Sequence, residues 1–358
     1  MGSPATKPSL ESTLQRIWTR RGAGAWLLLP LSLLYVALST FRRLLYRTGI
    51  LPIHRIRVPV IVVGNVIAGG AGKTPTTIAI VQHLQSQGHR VGVISRGYGR
   101  KSQNIQEVFA DAAPELAGDE PLLIQRKTSV PVFVAHTRYQ AAQALLARYP
   151  DTELIICDDG LQHFSLYRDL EICVFDDRGC GNGWLLPSGP LRETWPRRPL
   201  KQAGQRNDRL LVLHTGGQPR FSGFRAQRSL AAHAVRSNGE TVTLDTLQKP
   251  GALPLMAVAA IAQPAAFFRM LELCGLVIAK TLPLPDHYDF DSFTRNEYGG
   301  YQLICTEKDA AKLWQKAPDA LAIPLTQTME PAFWRELDRQ IAGLSPTKLS
   351  SPHGHKTT

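Results

Sequence analysis

Short apolar runs alternate with amphipathic segments along most of this chain of 358 residues. Runs of four to eight apolar residues between turn signals are typical of buried strands, whereas apolar residues three and four positions apart are typical of helices. Strands without a polar face that alternate with helices indicate a parallel sheet covered by helices on both faces. The pattern predicts strands at 58–63, 90–97, 131–136, 154–159 and 170–177, and helices at 74–87, 119–127 and 137–149.

The alternation stops in a proline-rich segment at 187–199, which predicts irregular structure. Two further strands are predicted near 209–215 and 224–231, and a new alternation from residue 255 predicts a second, smaller α/β domain. Its predicted elements are strands at 255–262, 303–306 and 322–326 and a helix at 264–274. The predicted units are an N-terminal segment (1–57), a large α/β domain (58–228), the smaller domain (229–330), a C-terminal helix (331–344) and a polar tail (345–358) that we expect to be disordered.

The N-terminal segment has its own character, because residues 22–41 contain no charged side chain over 20 positions. A helix of roughly 20 residues matches the ~30 Å hydrocarbon layer of a bilayer. Three arginines at 42–47 favour retention of the downstream chain in the cytoplasm. Pro30 permits a kinked helix lying in the membrane surface as well as a span. We therefore expect a membrane-associated helix and leave its depth open; a cleaved signal peptide is a weaker interpretation, since it would export the rest of the chain.

Net charge indicates which kind of partner fits this chain, and cysteine content indicates which cellular compartment. The formal net charge is +12, and residues 1–57 contribute nine basic side chains against one acidic one. Anionic lipid explains this block better than nucleic acid, because no helix-turn-helix, zinc-finger or aromatic RNA-binding signature accompanies it. Five scattered cysteines without a C-x-x-C pair predict free thiols in a reducing compartment: Cys157, Cys173, Cys180, Cys274 and Cys305.

The segment GNVIAGGAGKTP, residues 64–75, connects the first predicted strand to the first predicted helix. Glycines let backbone N–H groups turn towards an anion, and the helix N-terminus adds its positive end. The segment therefore predicts a phosphate-binding loop for a nucleoside triphosphate, although Ile67 stands where the general motif has its first glycine. The predicted contacts come from Gly69, Gly70, Ala71, Gly72, Lys73 and Thr74, with Lys73 on the β- and γ-phosphates and Thr74 on Mg²⁺.

Four polar clusters lie at the ends of predicted strands or in the loops that follow, where ligands of such sheets collect. Asp158 and Asp159 close an apolar strand and predict a Mg²⁺ contact, direct or through water. Asp119, in the sequence GDEP, fits a helix cap as well as a carboxylate facing the cleft. Arg192 offers a guanidinium to phosphate. His287, in the sequence PDHY, offers an imidazole, a side-chain type that can exchange protons near neutral pH, although a lone loop histidine is more often solvated than catalytic.

Together with the loop and the N-terminal segment, these clusters closely resemble one family, the tetraacyldisaccharide 4′-kinases of lipid A biosynthesis. The family's loop generally lacks the first glycine, so Ile67 agrees with the resemblance. The shared motifs run in order through nearly the whole chain: GN-x-x-x-GG-x-GKTP at 64–75, SRGYGR at 95–100, GDEP at 118–121, DDGLQH at 158–163, GNG-x-x-LPSGPLRE at 181–193, PDHY at 285–288 and TEKDA at 306–310.

The resemblance implies a P-loop NTPase-like kinase that transfers the γ-phosphate of ATP to the 4′-hydroxyl of a tetraacyldisaccharide 1-phosphate. It places the enzyme at the cytoplasmic face of the inner membrane of a Gram-negative cell. The cofactors it implies are ATP and Mg²⁺, and the partner it implies is the lipid substrate. We expect neither a nucleic acid nor an obligate protein partner.

The resemblance also implies roles for individual residues. Asp119 would act as the base, assisted by His287 from the smaller domain, and their meeting would require closure of the two domains over the substrate. The remaining roles concern phosphate and metal: Lys73, Arg192 and Glu193 would organise the phosphates and the metal, and Thr74 with Asp158 or Asp159 would hold Mg²⁺.

Two other nucleotide-binding classes share parts of this pattern. Regulatory ATPases of the partitioning type also show GG-x-GKT, but they carry a lysine just before the paired glycines, where this chain has Ala68. GTP-binding switches carry the order N/T-K-x-D, which the TEKD sequence at 306–309 only approximates. The sequence therefore favours the lipid kinase.

Overall fold

The computed structural model describes residues 10–197 and 209–344, which form two open sheets with helices packed on their faces. The predicted polar tail at 345–358 lies outside the described residues. The helices are α1 (Leu10–Ile17), α2 (Ala23–Leu27), α3 (Leu29–Arg47), α4 (Lys73–Ser86), α5 (Pro114–Ala117), α6 (Asp119–Thr128), α7 (Arg138–Arg148), α8 (Pro264–Leu273), α9 (Glu307–Leu313) and α10 (Pro331–Ala342), with short 3₁₀ helices at Leu244–Gln248 and Arg295–Tyr298.

The strands of the first sheet are β1 (Val60–Gly64), β2 (Val91–Ser95), β3 (Gln106–Val108), β4 (Val132–Val134), β5 (Leu154–Asp158), β6 (Leu170–Phe175), β7 (Leu210–His214) and β8 (Phe224–Leu230), with β15 (Leu325–Met329) added from near the end of the described chain. The second sheet contains β9 (His233–Val235), β10 (Thr241–Thr243), β11 (Leu255–Ala259), β12 (Ile278–Pro283), β13 (Gln302–Thr306) and β14 (Leu321–Ile323).

The first sheet has the spatial order β15-β8-β7-β6-β1-β5-β2-β4-β3. Its central strands run parallel, with Val62 opposite Cys157 and Val63 opposite Ile172. Every residue of β1, β5 and β6 is buried, as the unbroken apolar runs predicted. Both edges are antiparallel, β3 against β4 and β15 against β8, so the sheet is mixed and the prediction of a parallel sheet holds only for its interior.

The second sheet has the order β10-β9-β14-β13-β11-β12, with a parallel part around β11 and an antiparallel hairpin of β9 and β10. The structure differs here from the predicted boundaries. The strand predicted at 322–326 is divided at Pro324 into β14, in the second sheet, and β15, which pairs with β8 of the first. Phe333 and Leu337 of α10 then pack into the core of the first sheet. The chain therefore leaves the first sheet after β8 and returns to it before residue 330.

The N-terminal helix predicted over 22–41 is interrupted. Helix α2 ends at Leu27 and α3 begins at Leu29, because Pro30 fits the first turn of a helix but not its interior. In the residues that the structure describes, none of the helices combines the length and the apolarity needed to cross a membrane. Large apolar side chains nevertheless stand exposed on α2 and α3: Trp26, Leu27, Leu31, Leu33, Leu34, Leu38, Phe41 and Leu44.

Candidate active site

The predicted phosphate-binding loop lies between β1 and α4 in the middle of the first sheet. Gly72 precedes α4 with a φ of +86°, a left-handed conformation that favours glycine. The side chain of Asn65 is fully buried and donates to the carbonyl of Gly69 at 3.2 Å, which closes the loop from within. Lys73 and Thr74 open the helix, and both are buried. The structure therefore brings the predicted phosphate contacts together at one helix N-terminus.

The outer side of this loop is held by side chains from distant parts of the chain. Arg178 donates to the carbonyls of Ala68 at 3.2 Å and Gly70 at 3.0 Å. Arg228 of β8 donates to the carbonyl of Ala71 at 2.7 Å. In a planar trans peptide the N–H points opposite to the C=O, so the amides that follow these carbonyls point away from the two arginines. These amides are the groups that we predict to donate to an anion.

A connection from the second sheet reaches the same loop. Gln263, just before α8, donates to the carbonyl of Gly70 at 3.2 Å and to Oδ2 of Asp176 at 2.8 Å. Asp176 also pairs with Arg178. The phosphate-binding loop and the first helix after β11 thus share one hydrogen-bond network.

Asp158 and Asp159 follow from β5 beside the loop, but their environments differ. Oδ1 of Asp158 accepts from the hydroxyl of Thr77 at 2.7 Å, whereas its Oδ2 is buried without a partner in the described part of the chain. Burial, together with the nearby carboxylates of Glu120 and Asp159, raises the pKa of Asp158 to about 7. No protein cation contacts this carboxylate within ion-pair distance in the described residues.

Asp159 has a positive φ of 47° and faces two of the predicted phosphate-binding cations. Its Oδ1 lies 3.7 Å from Nζ of Lys73 and 3.5 Å from Nη1 of Arg192. Burial raises the pKa of Asp159, but Lys73, Arg192 and Arg138 outweigh that effect and hold the pKa below its usual value. The structure therefore gathers an ionised carboxylate, a lysine and an arginine beside the loop.

Asp119 and His287 meet across the two sheets. Asp119 opens α6 after Gly118, whose φ of +87° permits the sharp turn between α5 and α6. Nδ1 of His287 lies 3.2 Å from Oδ2 of Asp119, and Nζ of Lys312, on α9, lies 2.8 Å from the same oxygen. Burial raises the pKa of Asp119, but the hydrogen bonds from His287 and Lys312 and the charges of Lys312 and Lys308 lower it below the usual range.

Comparison with known proteins shows which family this chain belongs to. The family whose sequence pattern matches residues 24–342 is described as tetraacyldisaccharide-1-P 4′-kinase. The chain belongs to this kinase family. It is 53% identical to a tetraacyldisaccharide 4′-kinase of Acidovorax sp. (strain JS42) over 347 residues, covering 96% of this chain and 99% of the relative. It is 51% identical to the enzyme of that name from Polaromonas naphthalenivorans (strain CJ2), covering 98% and 100% of the two chains.

A solved structure supports the same assignment. The chain is similar to LpxK from Aquifex aeolicus, crystallised in complex with ATP, with a TM-score of 0.73 and 31% sequence identity. The similarity covers 89% of this chain and 99% of the crystallised one. The resemblance to tetraacyldisaccharide 4′-kinases that the sequence motifs predicted is confirmed.

In this kinase-family chain, the carboxylate of Glu193 contacts several protein donors. Its Oε1 accepts from Gln162 at 2.8 Å, and its Oε2 accepts from Arg197 at 3.0 Å and lies 3.5 Å from Arg43. These contacts hold the loop that carries Arg192. The role of Glu193 towards phosphate and metal stays a prediction.

One face of α3 fixes the same loop of the kinase-family chain. Ser32 donates to the carbonyl of Leu185 at 2.8 Å and accepts from the amide of Ser188 at 2.9 Å. The hydroxyl of Tyr35 donates to the carbonyl of Arg192 at 2.8 Å. Ser32, Tyr35 and Arg43 are spaced by three and by eight residues, close to one and to two helical turns, and so lie on one face of the helix. The N-terminal helix thus supports the active-site loop directly.

Several residues around the site were missed by sequence reasoning. Arg178, Arg228 and Gln263 reach the phosphate-binding loop from more than 100 positions away, and no local pattern announces such contacts. The sequence did offer an indication for Lys312. It follows Lys308 by one helical turn, so the two side chains lie on the same face of the helix. Lys308 itself lies 3.0 Å from Asp286 and 3.4 Å from Nε2 of His287.

Proposed function

We propose that this chain transfers the γ-phosphate of ATP to the 4′-hydroxyl of a tetraacyldisaccharide 1-phosphate. The observation that carries the proposal is the meeting of Asp119 and His287 from two different sheets, in a chain whose phosphate-binding loop and sequence place it in the family named for this reaction. Phosphoryl transfer requires alignment and charge neutralisation more than covalent help, and Lys73 and Arg192, beside the loop, supply both.

Asp119 acts as the base that accepts the proton of the sugar hydroxyl. A sugar hydroxyl is a weak nucleophile until such a base receives its proton. Asp119 can accept that proton because its carboxylate is ionised at neutral pH, with a pKa below the usual range. Its Oδ2 is engaged by His287 and Lys312, and in the part of the chain that the structure describes no donor contacts Oδ1. Oδ1 is therefore the oxygen that faces the substrate.

Lys73, Arg192 and the loop amides bind the triphosphate. Lys73 and Arg192 both approach Asp159, at 3.7 and 3.5 Å, distances at which an incoming phosphate oxygen can compete for them. The residues proposed to contact the phosphates are those of the motif: Gly69, Gly70, Ala71, Gly72, Lys73 and Thr74. ATP is the nucleotide in the crystal structure of the Aquifex aeolicus relative, which supports ATP as the donor here.

Mg²⁺ fits the carboxylate at Asp158. The buried, unpartnered Oδ2 and the raised pKa mark a carboxylate that lacks a compensating cation. Thr74 and Asp158, with Asp159, would hold the ion, which neutralises charge on the phosphates when bound. In the described residues no group of three or more His, Cys, Asp or Glu is arranged as a complete metal site. Phosphate oxygens and water would therefore complete the coordination, as is usual for Mg²⁺.

The N-terminal helices bring the enzyme to its lipid. Moving an acyl chain into water costs about 0.8 kcal/mol per CH₂, so the enzyme must act at the bilayer. The exposed apolar side chains of α2 and α3, next to basic residues, suit insertion into an anionic membrane surface. We place the enzyme at the cytoplasmic face of the inner membrane of a Gram-negative cell, lying in the surface.

The proposal is tested by incubating the full chain with γ-³²P-labelled ATP, Mg²⁺ and tetraacyldisaccharide 1-phosphate in detergent micelles. We expect label in the extracted lipid, and none when Lys73→Ala replaces the wild-type chain. Label confined to water-soluble products of the wild-type chain would refute the kinase activity.

A further inference from the structure

Helix α9 presents two ammonium groups to the Asp119–His287 pair, on successive turns. Lys308 contacts Asp286 at 3.0 Å and His287 Nε2 at 3.4 Å, whereas Lys312 contacts the Asp119 carboxylate, at 2.8 Å. The side chains of Lys312 and Asp119 are 13% and 7% exposed, so the pair is largely shielded from water. A shielded, charge-assisted hydrogen bond is stronger and more directional than a surface ion pair.

Hydrogen bonds of Thr306 and Asp309 fix the position of α9. Thr306 caps the helix by accepting from the amide of Asp309 at 3.2 Å. The buried carboxylate of Asp309 accepts from the amide of Ala260 at 3.0 Å, and the carbonyl of Ala260 accepts from the amide of His287 at 3.2 Å. The same short network therefore positions the histidine and the helix that carries Lys312. Lys312 and His287 therefore contact Asp119 from one hydrogen-bonded part of the second sheet's domain.

From this geometry we infer that Lys312 is a positioning residue for the phosphoryl transfer, which binds Oδ2 of Asp119 and thereby turns Oδ1 towards the sugar hydroxyl. The inference rests on the proposed function. His287 alone can leave the carboxylate free to rotate, because one hydrogen bond does not define its plane. Two donors on the same oxygen, from a loop and from a helix, restrict that rotation. The second sheet thus contributes orientation of the base as well as the histidine.

Lys312 also bears on the protonation of Asp119. The groups that face this carboxylate are His287 from the loop after β12, Lys308 and Lys312 from α9, and the acidic neighbours Glu120 and Asp309. Loss of the Lys312 ammonium removes the closest positive charge, so the pKa of Asp119 would rise. A larger share of the base would then be protonated, and inactive, on the acid side of neutrality.

The test compares Lys312→Met with Lys316→Met as its matched control. Lys316 lies four positions further along, in the turn after α9, 3.9 Å from the exposed carboxylate of Asp291, and its replacement removes the same charge from the surface. Initial rates of lipid phosphorylation are measured from pH 5 to 9 for both variants and the wild-type chain. Nucleotide binding and the thermal midpoint are measured for each, which separates a folding defect from a catalytic one.

For Lys312→Met we expect kcat to fall about 10- to 100-fold at pH 7, the range for losing a charge-assisted hydrogen bond, with KM for ATP unchanged. We also expect the acid limb of the kcat profile to move to higher pH. Lys312→Arg keeps the positive charge and should recover most of kcat and the original acid limb. Lys312→Gln is a milder change, to be used if the methionine variant misfolds, and we expect it to shift the acid limb as Lys312→Met does.

Three outcomes distinguish a failure of the inference about Lys312 from a failure of the proposed function. An unaltered pH profile with kcat within twofold of wild type in both Lys312→Met and Lys312→Gln overturns the inference while the proposed function stands. An equal loss in Lys316→Met also overturns it, because general surface charge would then explain the effect. A wild-type chain that fails to phosphorylate the lipid refutes the proposed function itself, and the role of Lys312 with it.

Discussion

Nδ1 of His287 lies 3.2 Å from Oδ2 of Asp119, although the two residues are 168 positions apart: Asp119 opens α6, beside the first sheet, and His287 follows β12 of the second. Asp119 depends on the turn at Gly118 for its place at the start of α6, and His287 depends on the Ala260 carbonyl that accepts its amide. The pair therefore forms only when both sheets are folded and docked. We therefore expect relative movement of the two sheets to separate the proposed base from His287, and a coupling between domain closure and activity stays a prediction.

Replacing the proposed base should separate catalysis from nucleotide binding. Asp119→Asn keeps the size of the side chain but cannot accept a proton, so we expect kcat to fall about 10²- to 10⁴-fold. The affinity for ATP should stay within twofold, because the phosphate-binding loop is untouched. Rates with the lipid acceptor and fluorescence titration with a nucleotide analogue check both points. Lost nucleotide binding would instead assign Asp119 a structural or metal-binding role.

The contact between Tyr35 and Arg192 predicts that α3 supports catalysis as well as membrane binding. Tyr35→Phe removes the donor to the Arg192 carbonyl, and we expect kcat to fall about 2- to 10-fold as the loop loosens. Ser39→Ala is the control, because Ser39 lies on the same helix and, within the described parts of the chain, its hydroxyl donates only to the carbonyl of Val36, inside α3. Vesicle binding should not change in either variant. Equal rates in the two variants would argue against support of the loop by Tyr35.

The exposed apolar face of α2 and α3 predicts measurable membrane affinity. Each leucine transferred from water to hydrocarbon contributes about 1.5–3 kcal/mol, so replacing Leu27, Leu34 and Leu38 by Asn should weaken partitioning at least about a hundredfold. Co-sedimentation with vesicles of anionic phospholipid measures the effect. The matched control replaces Leu253, Leu273 and Val277, exposed apolar residues of the second sheet's domain, and should leave partitioning unchanged. Wild-type binding by the triple Leu variant would remove α2 and α3 as the membrane contact.

His163 predicts a specific pH dependence of stability. Burial, together with the positive charges of Arg138, Arg42, Arg168 and Arg96, lowers its pKa to about 3. The unfolded chain takes up this proton near pH 6.5, whereas the folded chain does so only near pH 3. The contribution of neutral His163 is therefore fully present above pH 6.5 and is lost as the pH falls, with a limiting slope of about 1.4 kcal/mol per pH unit.

Urea unfolding at pH 7, 6, 5 and 4.5 tests this dependence. His163→Gln carries no titrating group, so its free energy of unfolding should fall less steeply between pH 6.5 and 4.5 than that of the wild-type chain. Parallel curves for the two proteins would mean that His163 is protonated equally in the folded and unfolded states.

The interior of the first sheet was predictable because its strands are apolar on both faces. Strands β5 and β6 lie within the predicted ranges, and β1 extends one residue past its predicted range, to Gly64. By contrast, β12 was missed because it is an edge strand with mostly exposed residues, and β3 because it has only three residues. The division at Pro324 was also missed, since a single apolar run gives no sign that its two halves join different sheets.

The site was predictable where its chemistry is local in sequence. The glycines, Lys73 and Thr74 of the phosphate-binding loop form one contiguous motif, and its geometry follows from that motif. Contacts that depend on docking of distant elements had no such signature. Arg228 reaches Ala71 across 157 positions, and Lys312 reaches Asp119 across 193. The environment of Glu193 was likewise hidden, because Gln162 and Arg197 surround it only in the folded chain.

The position of the transferred phosphate tests the central claim most directly. The lipid product of the wild-type chain, made with Mg²⁺ and ATP, is purified and analysed by ³¹P–¹H correlation NMR. We predict one new phosphate monoester, coupled to the proton on the 4′ carbon, and its absence when Asp119→Asn is used under the same conditions. A phosphate on any other hydroxyl, a diphosphate at position 1, or equal product from Asp119→Asn would contradict the account.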